Sequence, residues 1–171
     1  MSAVLNRRRS SAAGDDQRAS HHAPGESLAA AIDGRPSSAA FAVLLGAYRN
    51  SGGTARGDDL AQLLADRRRG DYVSLARFLV AGHVFGFEWR KTVWIPMFQF
   101  DPHDLGVKPG LRQILTELAP CFDGWARAAW FVNANARLGG HRPLDLLDGD
   151  MPKVLDAARG ALREHDARHG N

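Results

Sequence analysis

The chain has 171 residues, 44% of them hydrophobic, and a net charge of +3 from 22 basic and 19 acidic residues. This length and hydrophobic fraction predict one core of ordinary size, in a single compact unit or in two small subdomains that share it. The mixed charge excludes a polycationic protein, so the composition permits nucleic acid as a partner without requiring it.

Cys121 is the single cysteine. It excludes an intramolecular disulfide and any multi-cysteine metal site, and it favours a reducing compartment. No uninterrupted apolar run approaches the roughly 20 residues that span a bilayer, and no signal-peptide run follows the N-terminal arginines. We therefore expect a soluble, cytoplasmic protein that has no membrane partner.

Residues 1–27 are rich in Ser, Ala, Gly, Arg and His and show neither helical nor strand periodicity. Such a composition does not offset its own ordering entropy, so we expect a disordered tail. Its acidic residues nearly balance its arginines, which favours a solvated leader over an arm that binds nucleic acid.

The sequence changes character at Ser37, where apolar residues begin to recur at helical spacing. This pattern predicts a first helix that ends near the glycine pair Gly52-Gly53. A second helix is predicted behind Asp58, a favourable N-cap, with leucines on one face. It ends in three arginines, which suit the C-terminal end of a helix dipole.

A third helix and a β-hairpin follow. The helix is predicted to start at Ser74, as its N-cap, and to end at Gly82. The hydrophobic period then changes to two, which predicts two strands around a polar turn at 90–92. Their apolar residues are Phe85, Phe87 and Trp89 on one strand and Val93 and Ile95 on the other. Because Pro96 has no N–H to donate, the second strand is an edge there or ends soon after.

The rest of the sequence is predicted to be helical. One helix opens at Pro109, and the next is capped by Asp123 and ends at Gly139-Gly140. A single turn restarts at Arg142-Pro143, and the last helix frays beyond Glu164. The apolar residues of the first of these helices lie at i, i+3, i+4 and i+7, and they are Leu111, Ile114, Leu115 and Leu118.

Together these elements predict a mainly α-helical protein, a small helical bundle with one antiparallel β-hairpin in the middle of the chain. We divide it into the tail (1–27), a helical section with the hairpin (36–100), a second helical section (101–164) and a frayed C-terminus (165–171). We also expect a homo-oligomer, since two-fold pairing is the commonest assembly, although nothing in the sequence identifies its interface.

The order of three helices and a hairpin resembles a helix-turn-helix with a wing. In this interpretation the third helix enters the major groove and the hairpin tip contacts phosphate. The candidate DNA contacts are Arg67, Arg68, Arg69, Arg77, Arg90 and Lys91. The third helix offers a single arginine and no Asn, Gln or Lys for base edges, so a purely structural subdomain is the alternative.

The hairpin region is dense in aromatic residues, which suits either a platform for stacking bases or a protein core. The aromatic residues are Phe85, Phe87, Trp89, Trp94, Phe98 and Phe100. We favour a core, part of which serves as a protein interface, because the interleaved Val93, Ile95 and Met97 also need burial.

Residues for catalysis or metal binding are sparse, and we expect neither an enzyme nor a metal or cofactor. Asp145, Asp148 and Asp150 are close in sequence, but their positions near helix starts favour capping. His141 has no nucleophile or base at a recognisable spacing. The pairs His21-His22 and His165 with His169 lack a third ligand nearby.

The segment from Trp125 to Arg159 carries a distinctive pattern, W-x4-WF-x3-N-x2-LGG-x-RPLDLL-x-GD-x3-VL-x-AAR. It resembles the toxin-binding domain of the Xre-MbcA-ParS antitoxins. Members of that family are similar in joining a tryptophan-bearing helix, a Gly-rich break, Arg-Pro with a leucine pair, and a helix entered through Gly-Asp. The segment WIPMFQFD at 94–101 and the helix that follows it also resemble longer members.

The resemblance implies an antitoxin that covers the active site of a RES-type toxin, an enzyme that consumes NAD, and that binds its own promoter through an N-terminal helix-turn-helix. Arginines here would pair with groups in a cleft made for a dinucleotide. The residues that match the family's toxin-facing end are Asn135, Arg137, Leu138, Gly139, Gly140, Arg142, Pro143, Leu144, Leu147, Val154 and Arg159. The alternative is a DNA-binding transcriptional regulator without a toxin partner.

Overall fold

The computed structural model describes residues 36–169. This range is mainly helical with one small antiparallel sheet, which confirms the predicted fold class. The predicted tail at 1–27 lies outside the described residues. The helices are α1 (Ser38–Tyr48), α2 (Gly57–Asp66), α3 (Tyr72–Val80), α4 (Leu111–Leu118), α5 (Gly124–Val132), α6 (Pro143–Leu146) and α7 (Met151–His169). The strands are β1 (Thr54–Arg56), β2 (Phe87–Trp89) and β3 (Thr92–Pro96), and 3-10 turns lie at Arg49–Ser51, Met97–Gln99 and Ala136–Leu138.

Two of the predicted helix starts are confirmed in detail. Ser37 caps α1, since its side chain accepts a hydrogen bond of 3.1 Å from the backbone N–H of Ala40. Asp123 caps α5 in the same way, with a bond of 2.8 Å from the N–H of Ala126. Each cap satisfies one of the backbone donors that the first turn of a helix leaves without a partner.

Two other predicted N-caps are wrong. Helix α2 begins at Gly57, so Asp58 lies inside its first turn, where a carboxylate still favours the positive end of the helix dipole. Helix α3 is capped by Asp71, which accepts bonds from the backbone N–H of Ser74 at 2.8 Å and from its hydroxyl at 2.9 Å. Ser74 is therefore the donor of this cap and not its acceptor.

The sheet contains a strand that the sequence pattern did not reveal. Strand β1 pairs antiparallel with β3, and the order β1-β3-β2 places β3 in the centre. β3 ends at Pro96. Proline has no backbone N–H to donate, so it cannot continue the hydrogen-bond ladder of a central strand. The hairpin turn is limited to Arg90 and Lys91, whose φ angles of 47° and 63° suit a tight two-residue loop. Thr92, predicted to lie in the turn, is the first residue of β3.

The two faces of the sheet serve two different hydrophobic clusters. Phe87 and Trp94 are paired across the strands and face a main cluster, which α1, α4, α5 and α7 complete. Ile95 alternates to the opposite face and belongs to a minor cluster formed mainly by α2 and α3. Val93 shares the face of Ile95, but it is 41% exposed, so the prediction that it is buried is wrong.

The predicted boundary at residue 100 does not separate two cores. Leu44 and Tyr48 of α1 are buried in the main cluster together with residues of the C-terminal helices. The hydroxyl of Tyr48 donates a hydrogen bond of 2.7 Å to the backbone carbonyl of Ala128 in α5. Leu105, beyond the boundary, packs in the minor cluster. The sections 36–100 and 101–164 therefore share their cores.

Two predicted helix ends also change. Helix α5 ends at Val132, because Asn133 adopts an extended backbone, and asparagine competes with helix formation through its own side chain. Gly139-Gly140 thus ends the following 3-10 turn instead. Helix α7 continues through His169 rather than fraying after Glu164, since alanine, arginine and glutamate propagate a helix once it has formed.

None of the helices between residues 36 and 169 is long and apolar enough to cross a membrane.

Candidate partner-binding surface

The segment between α5 and α6 forms a compact loop closed by Asn135. Its backbone N–H donates to the carbonyl of His141 at 3.1 Å, and its carbonyl accepts from the N–H of Gly140 at 2.9 Å. Its side chain accepts a further bond of 2.9 Å from the backbone N–H of Arg137. Because both ends of the loop are tied together, the exposed residues between them are presented in one defined shape.

Gly139 and Gly140 form the exposed tip of this loop. Their φ angles of 65° and 85° lie in the left-handed region, which glycine adopts without strain. No neighbouring atom lies within 4 Å of the position that a Cβ would occupy on either residue. The tip therefore offers bare backbone to the outside, which lets another molecule approach the main chain closely.

Four residues of the predicted toxin-facing set are instead part of the core. Leu138, Leu147 and Val154 are 3%, 6% and 0% exposed, and Pro143 is also buried. Their side chains hold the loop and the helices in place and present little surface to a partner, and their assignment to a toxin-facing surface stays a prediction. Leu138 anchors the loop instead, because it inserts into the main cluster directly before the glycine tip.

Each of the three predicted arginines forms an ion pair within the chain. Arg137 donates to the carboxylate of Glu164 in α7 from Nε at 3.1 Å and from Nη2 at 2.5 Å. Arg159 donates from Nε to Glu117 of α4 at 3.2 Å. The Arg137–Glu164 pair is exposed on both sides, whereas Glu117 is partly buried. Exposed pairs contribute little to stability, so a partner's carboxylate can replace Glu164 at small cost.

Arg142 holds the first turn of α6 through a two-pronged contact. Its Nε and Nη2 atoms donate to the two carboxylate oxygens of Asp145 at 2.7 and 2.6 Å. The hydrogen bond from Arg142 lowers the pKa of Asp145 below its ordinary value, and the same bond raises the pKa of Arg142. This fork geometry fixes the guanidinium, so Arg142 is the least free of the three arginines to turn toward a partner.

A cleft of about 260 Å³ lies beside the loop. Phe122, Trp130, Ala157 and Ala161 contribute apolar walls, while Asn135, Arg137 and Glu164 supply the polar lining. The combination of an aromatic wall with a few polar groups suits the insertion of a partner's side chain. The sequence prediction included Asn135 and Arg137 but missed Phe122 and Glu164, which are distant from them in sequence. Trp130, which belongs to the sequence motif, was the residue that could have indicated an aromatic wall.

Leu144 and Leu147 face a second cleft of about 450 Å³. Met97, Phe98 and Leu105 also line it, and the ion pair between Lys108 and Asp148, at 2.8 Å, lies at its edge. The predicted toxin-facing residues are thus divided between two clefts and the core. The loop 135–141 with the smaller cleft brings together Asn135, Arg137, Gly139 and Gly140, and we call this surface the loop site.

The candidate DNA contacts are dispersed over α2, α3 and the hairpin. Arg67, Arg68 and Arg69 follow α2 and are exposed, and Arg69 pairs with Asp104 at 2.8 Å. Arg77 is exposed on α3. At the hairpin tip, Arg90 lies over the ring of Trp89, 5.3 Å from its centroid, and donates to the hydroxyl of Ser38 at 3.1 Å. Lys91 lines a cleft of about 300 Å³ between the hairpin and α3.

The described elements before residue 100 include a strand in addition to the three helices and the hairpin. A strand, β1, lies between the first and second helices and joins the hairpin in one sheet. The exposed side of α3 is nevertheless largely apolar, with Tyr72 and Val80 65% and 91% exposed. Neither valine nor alanine forms hydrogen bonds with base edges, so direct readout by this helix is poorly supported.

The described residues contain no group of three or more His, Cys, Asp or Glu side chains that could hold a metal ion. Asp145 pairs with Arg142, Asp148 pairs with Lys108, and Asp150 accepts a bond from the N–H of Lys153 at the start of α7. Each of the three carboxylates that are close in sequence therefore has a structural contact. Cys121 is half-buried, and burial is the main cause that raises the pKa of its thiol.

Comparison with models of protein families, with curated proteins and with solved structures finds no match to this chain.

Proposed function

We propose that this chain is a non-catalytic binding protein that neutralises a RES-type, NAD-consuming toxin by covering its active site. The proposal starts from the resemblance of residues 125–159 to the Xre-MbcA-ParS antitoxins. The observation that carries it is the loop site, where bare backbone at Gly139-Gly140 adjoins an aromatic-walled cleft with an arginine among its lining residues. Such a role places the protein in the cytoplasm, which agrees with its single cysteine.

The chemistry of the loop site suits a partner whose cleft binds a dinucleotide. A glycine tip can enter a narrow cleft because nothing projects beyond its Cα atoms. The N–H groups of Gly139 and Gly140 donate within the loop, to the carbonyls of Ala136 and Asn135, so the donor that this surface offers is the guanidinium of Arg137, which suits an acidic wall of such a cleft. Asn135 keeps the tip preorganised, so little conformational entropy is lost when the complex forms.

The direct test is co-expression of this chain with the protein encoded by the adjacent open reading frame, followed by scoring of growth and by co-purification. We expect rescue from toxicity and a stable complex. Arg137→Glu is expected to weaken this complex at least about tenfold, which corresponds to about 1.4 kcal/mol. The matched control is Arg112→Glu, an equal charge reversal at an exposed position near the start of α4.

The possible outcomes of this test lead to different conclusions. Equal effects of the two reversals would assign binding to overall charge and remove the loop site as the interface. A neighbour that is harmless and does not bind would overturn the antitoxin proposal itself. Loss of the complex in Arg137→Glu alone, with unchanged circular dichroism, would support both the function and the site.

The second candidate is a DNA-binding transcriptional regulator, acting alone or as the promoter-binding half of an antitoxin. This candidate is favoured by the order of the elements, which is helix, strand, helix, helix and hairpin. The three arginines that follow α2 also favour it, and they are Arg67, Arg68 and Arg69. A gel shift on the upstream DNA at increasing salt tests this candidate, because binding through phosphates weakens steeply as salt rises. Binding that is absent at low salt, or that does not respond to salt, would eliminate it.

A further inference from the structure

A carboxylate of the chain itself already occupies the arginine of the loop site. Both Nε and Nη2 of Arg137 donate to one oxygen of Glu164, at 3.1 and 2.5 Å. Arg137 belongs to the loop and Glu164 to α7, and both residues line the cleft of about 260 Å³. The edge of the guanidinium that forms two-pronged contacts with a carboxylate is therefore in use in the free protein.

This ion pair can open without disturbing the core. The side chains of Arg137 and Glu164 are 45% and 57% exposed, so water screens their charges. Exposed pairs of this kind contribute little to stability, and separating them takes little free energy. Because Glu164 stays in contact with water, the loss of Arg137 leaves no buried, unpaired charge behind.

The loop site offers one positive charge to an incoming group. Among the described residues that line the cleft, Arg137 is the one cation. The N–H groups of Gly139 and Gly140 donate within the loop, and the side chain of Asn135 accepts from the N–H of Arg137. These groups do not form the nest of free donors that suits a phosphate. One guanidinium instead matches the single charge and the two oxygens of a carboxylate.

The cleft also suits the apolar stem of an acidic side chain. Phe122 and Trp130 contribute aromatic surface, and Ala157 and Ala161 of α7 contribute methyl groups. The methylene groups of an aspartate or glutamate can pack against this lining while the carboxylate contacts the arginine. A charged contact that is shielded by an apolar surround is stronger than the same contact in open water.

We propose that the partner enters the loop site with an aspartate or glutamate side chain, which displaces Glu164 from Arg137. Glu164 is then an internal competitor that occupies the arginine until the complex forms. This inference rests on the proposed function, because it takes the loop site to face a protein partner. It adds the chemistry of the partner's contact residue, and it identifies a residue of this chain that weakens the complex.

The test measures how well variants compete with the unmodified chain, fluorescently labelled at its N-terminus, for the product of the adjacent open reading frame. Glu164→Gln removes the competing charge but keeps the length of the side chain and an oxygen that accepts a hydrogen bond from Arg137. We expect it to bind about threefold to tenfold more tightly. The matched control is Glu88→Gln, an equal charge change at an exposed position of β2, which does not line the cleft, and it should leave the affinity unchanged.

Two further comparisons identify the interacting groups. In an Arg137→Gln background, Glu164→Gln should bring a smaller gain, because no arginine remains to be released. In the partner, each Asp is replaced in turn by Asn and each Glu by Gln. One of these replacements should make binding insensitive to Arg137→Gln, and that residue is the partner's contact with the arginine.

The results distinguish a failure of this inference from a failure of the proposed function. If the unmodified chain forms no complex with the neighbour's product, both are overturned. A complex that Glu164→Gln does not strengthen, or strengthens equally in the absence of Arg137, overturns the inference alone. So does a complex in which no acidic residue of the partner is coupled to Arg137, and the antitoxin role then stands with a different contact at its centre.

Discussion

The guanidinium group of Arg137 lies against the backbone of Gly160 in α7, in the space that a Cβ on residue 160 would occupy. Glycine in the middle of a helix is unfavourable by itself, by about 0.5–1 kcal/mol relative to alanine. Here it opens a path for the arginine to reach Glu164, one turn further along the helix. Two residues that are 23 positions apart thus cooperate to orient a side chain of the loop site.

Gly160→Ala should expel Arg137 from this position and break its ion pair with Glu164. The better helix propensity of alanine, about 1 kcal/mol, should be partly offset by the displaced guanidinium and its lost ion pair, so the gain in free energy of unfolding should be smaller than at a helix glycine with open space around it. Gly46→Ala is the control, because no atom lies within 4 Å of a Cβ at that position of α1, and it should gain the full amount. Urea denaturation of both variants measures the difference.

An Arg137→Ala background makes this prediction specific. With the arginine removed, Gly160→Ala should stabilise the protein as much as Gly46→Ala does. Equal stabilisation by Gly160→Ala with and without Arg137 would show that the two residues do not interact.

Gly124→Ala should destabilise the protein strongly. A methyl group on this first residue of α5 would overlap the carbonyl oxygen of Gly86 and crowd the Cα of Phe87, and both are backbone atoms that cannot rotate away. The helix must then move off the sheet, and we expect a loss of at least about 1–3 kcal/mol in urea denaturation. A stability equal to that of the unmodified protein would mean that α5 and β2 are not in close contact.

Gln99 is the buried polar side chain of the described core, with 0% exposure. Its amide nitrogen donates to the carbonyls of Phe85 and Pro96, both at 2.9 Å, and its oxygen accepts from the N–H of Phe85 at 2.7 Å. Gln99→Met keeps the length of the side chain but leaves these groups without partners, so we expect a loss of about 3 kcal/mol. Gln113→Met, at an exposed position of α4, should leave the denaturation midpoint unchanged.

Tyr48 should make the protein sensitive to alkaline pH. Burial raises the pKa of its hydroxyl well above 10, while an unfolded tyrosine titrates near about 10. The unfolded chain therefore releases a proton that the folded chain retains, so stability is fully present below about pH 10 and is lost as the pH rises further. Tyr48→Phe should flatten this loss in urea denaturation between pH 9 and 11. Tyr72→Phe, on the exposed face of α3, should leave the alkaline loss unchanged.

The helices that could be predicted from the sequence are those with a single apolar stripe. Leu111, Ile114, Leu115 and Leu118 recur at i, i+3, i+4 and i+7, and all four are buried in α4. The cap at Asp123 and the start of α1 at the change of pattern near Ser37 were also predictable, whereas the caps expected at Asp58 and Ser74 were wrong. In these cases the determining interactions lie within a few residues of each other.

Features set by distant contacts were not predictable. Strand β1 has three residues with no alternation of its own, and it exists because Ala55 pairs with Ile95, 40 positions away. The burial of Leu138 and the exposure of Val93 likewise depend on which neighbours the fold supplies. The same limit holds for the loop site, since Arg137 was evident in the motif whereas its partner Glu164 lies 27 positions further on.

The shared sheet makes the two halves of the molecule depend on each other. Since one face of β2 and β3 supports the main cluster and the other face supports the minor cluster, loosening either cluster removes support from the strands on which the other packs. A ligand that binds only the folded protein lowers the population of open forms throughout such a unit. Protection from proteases at α2 and α3, which do not line the loop site, should therefore rise when a partner occupies it, so a digest can detect the partner without labelling either molecule.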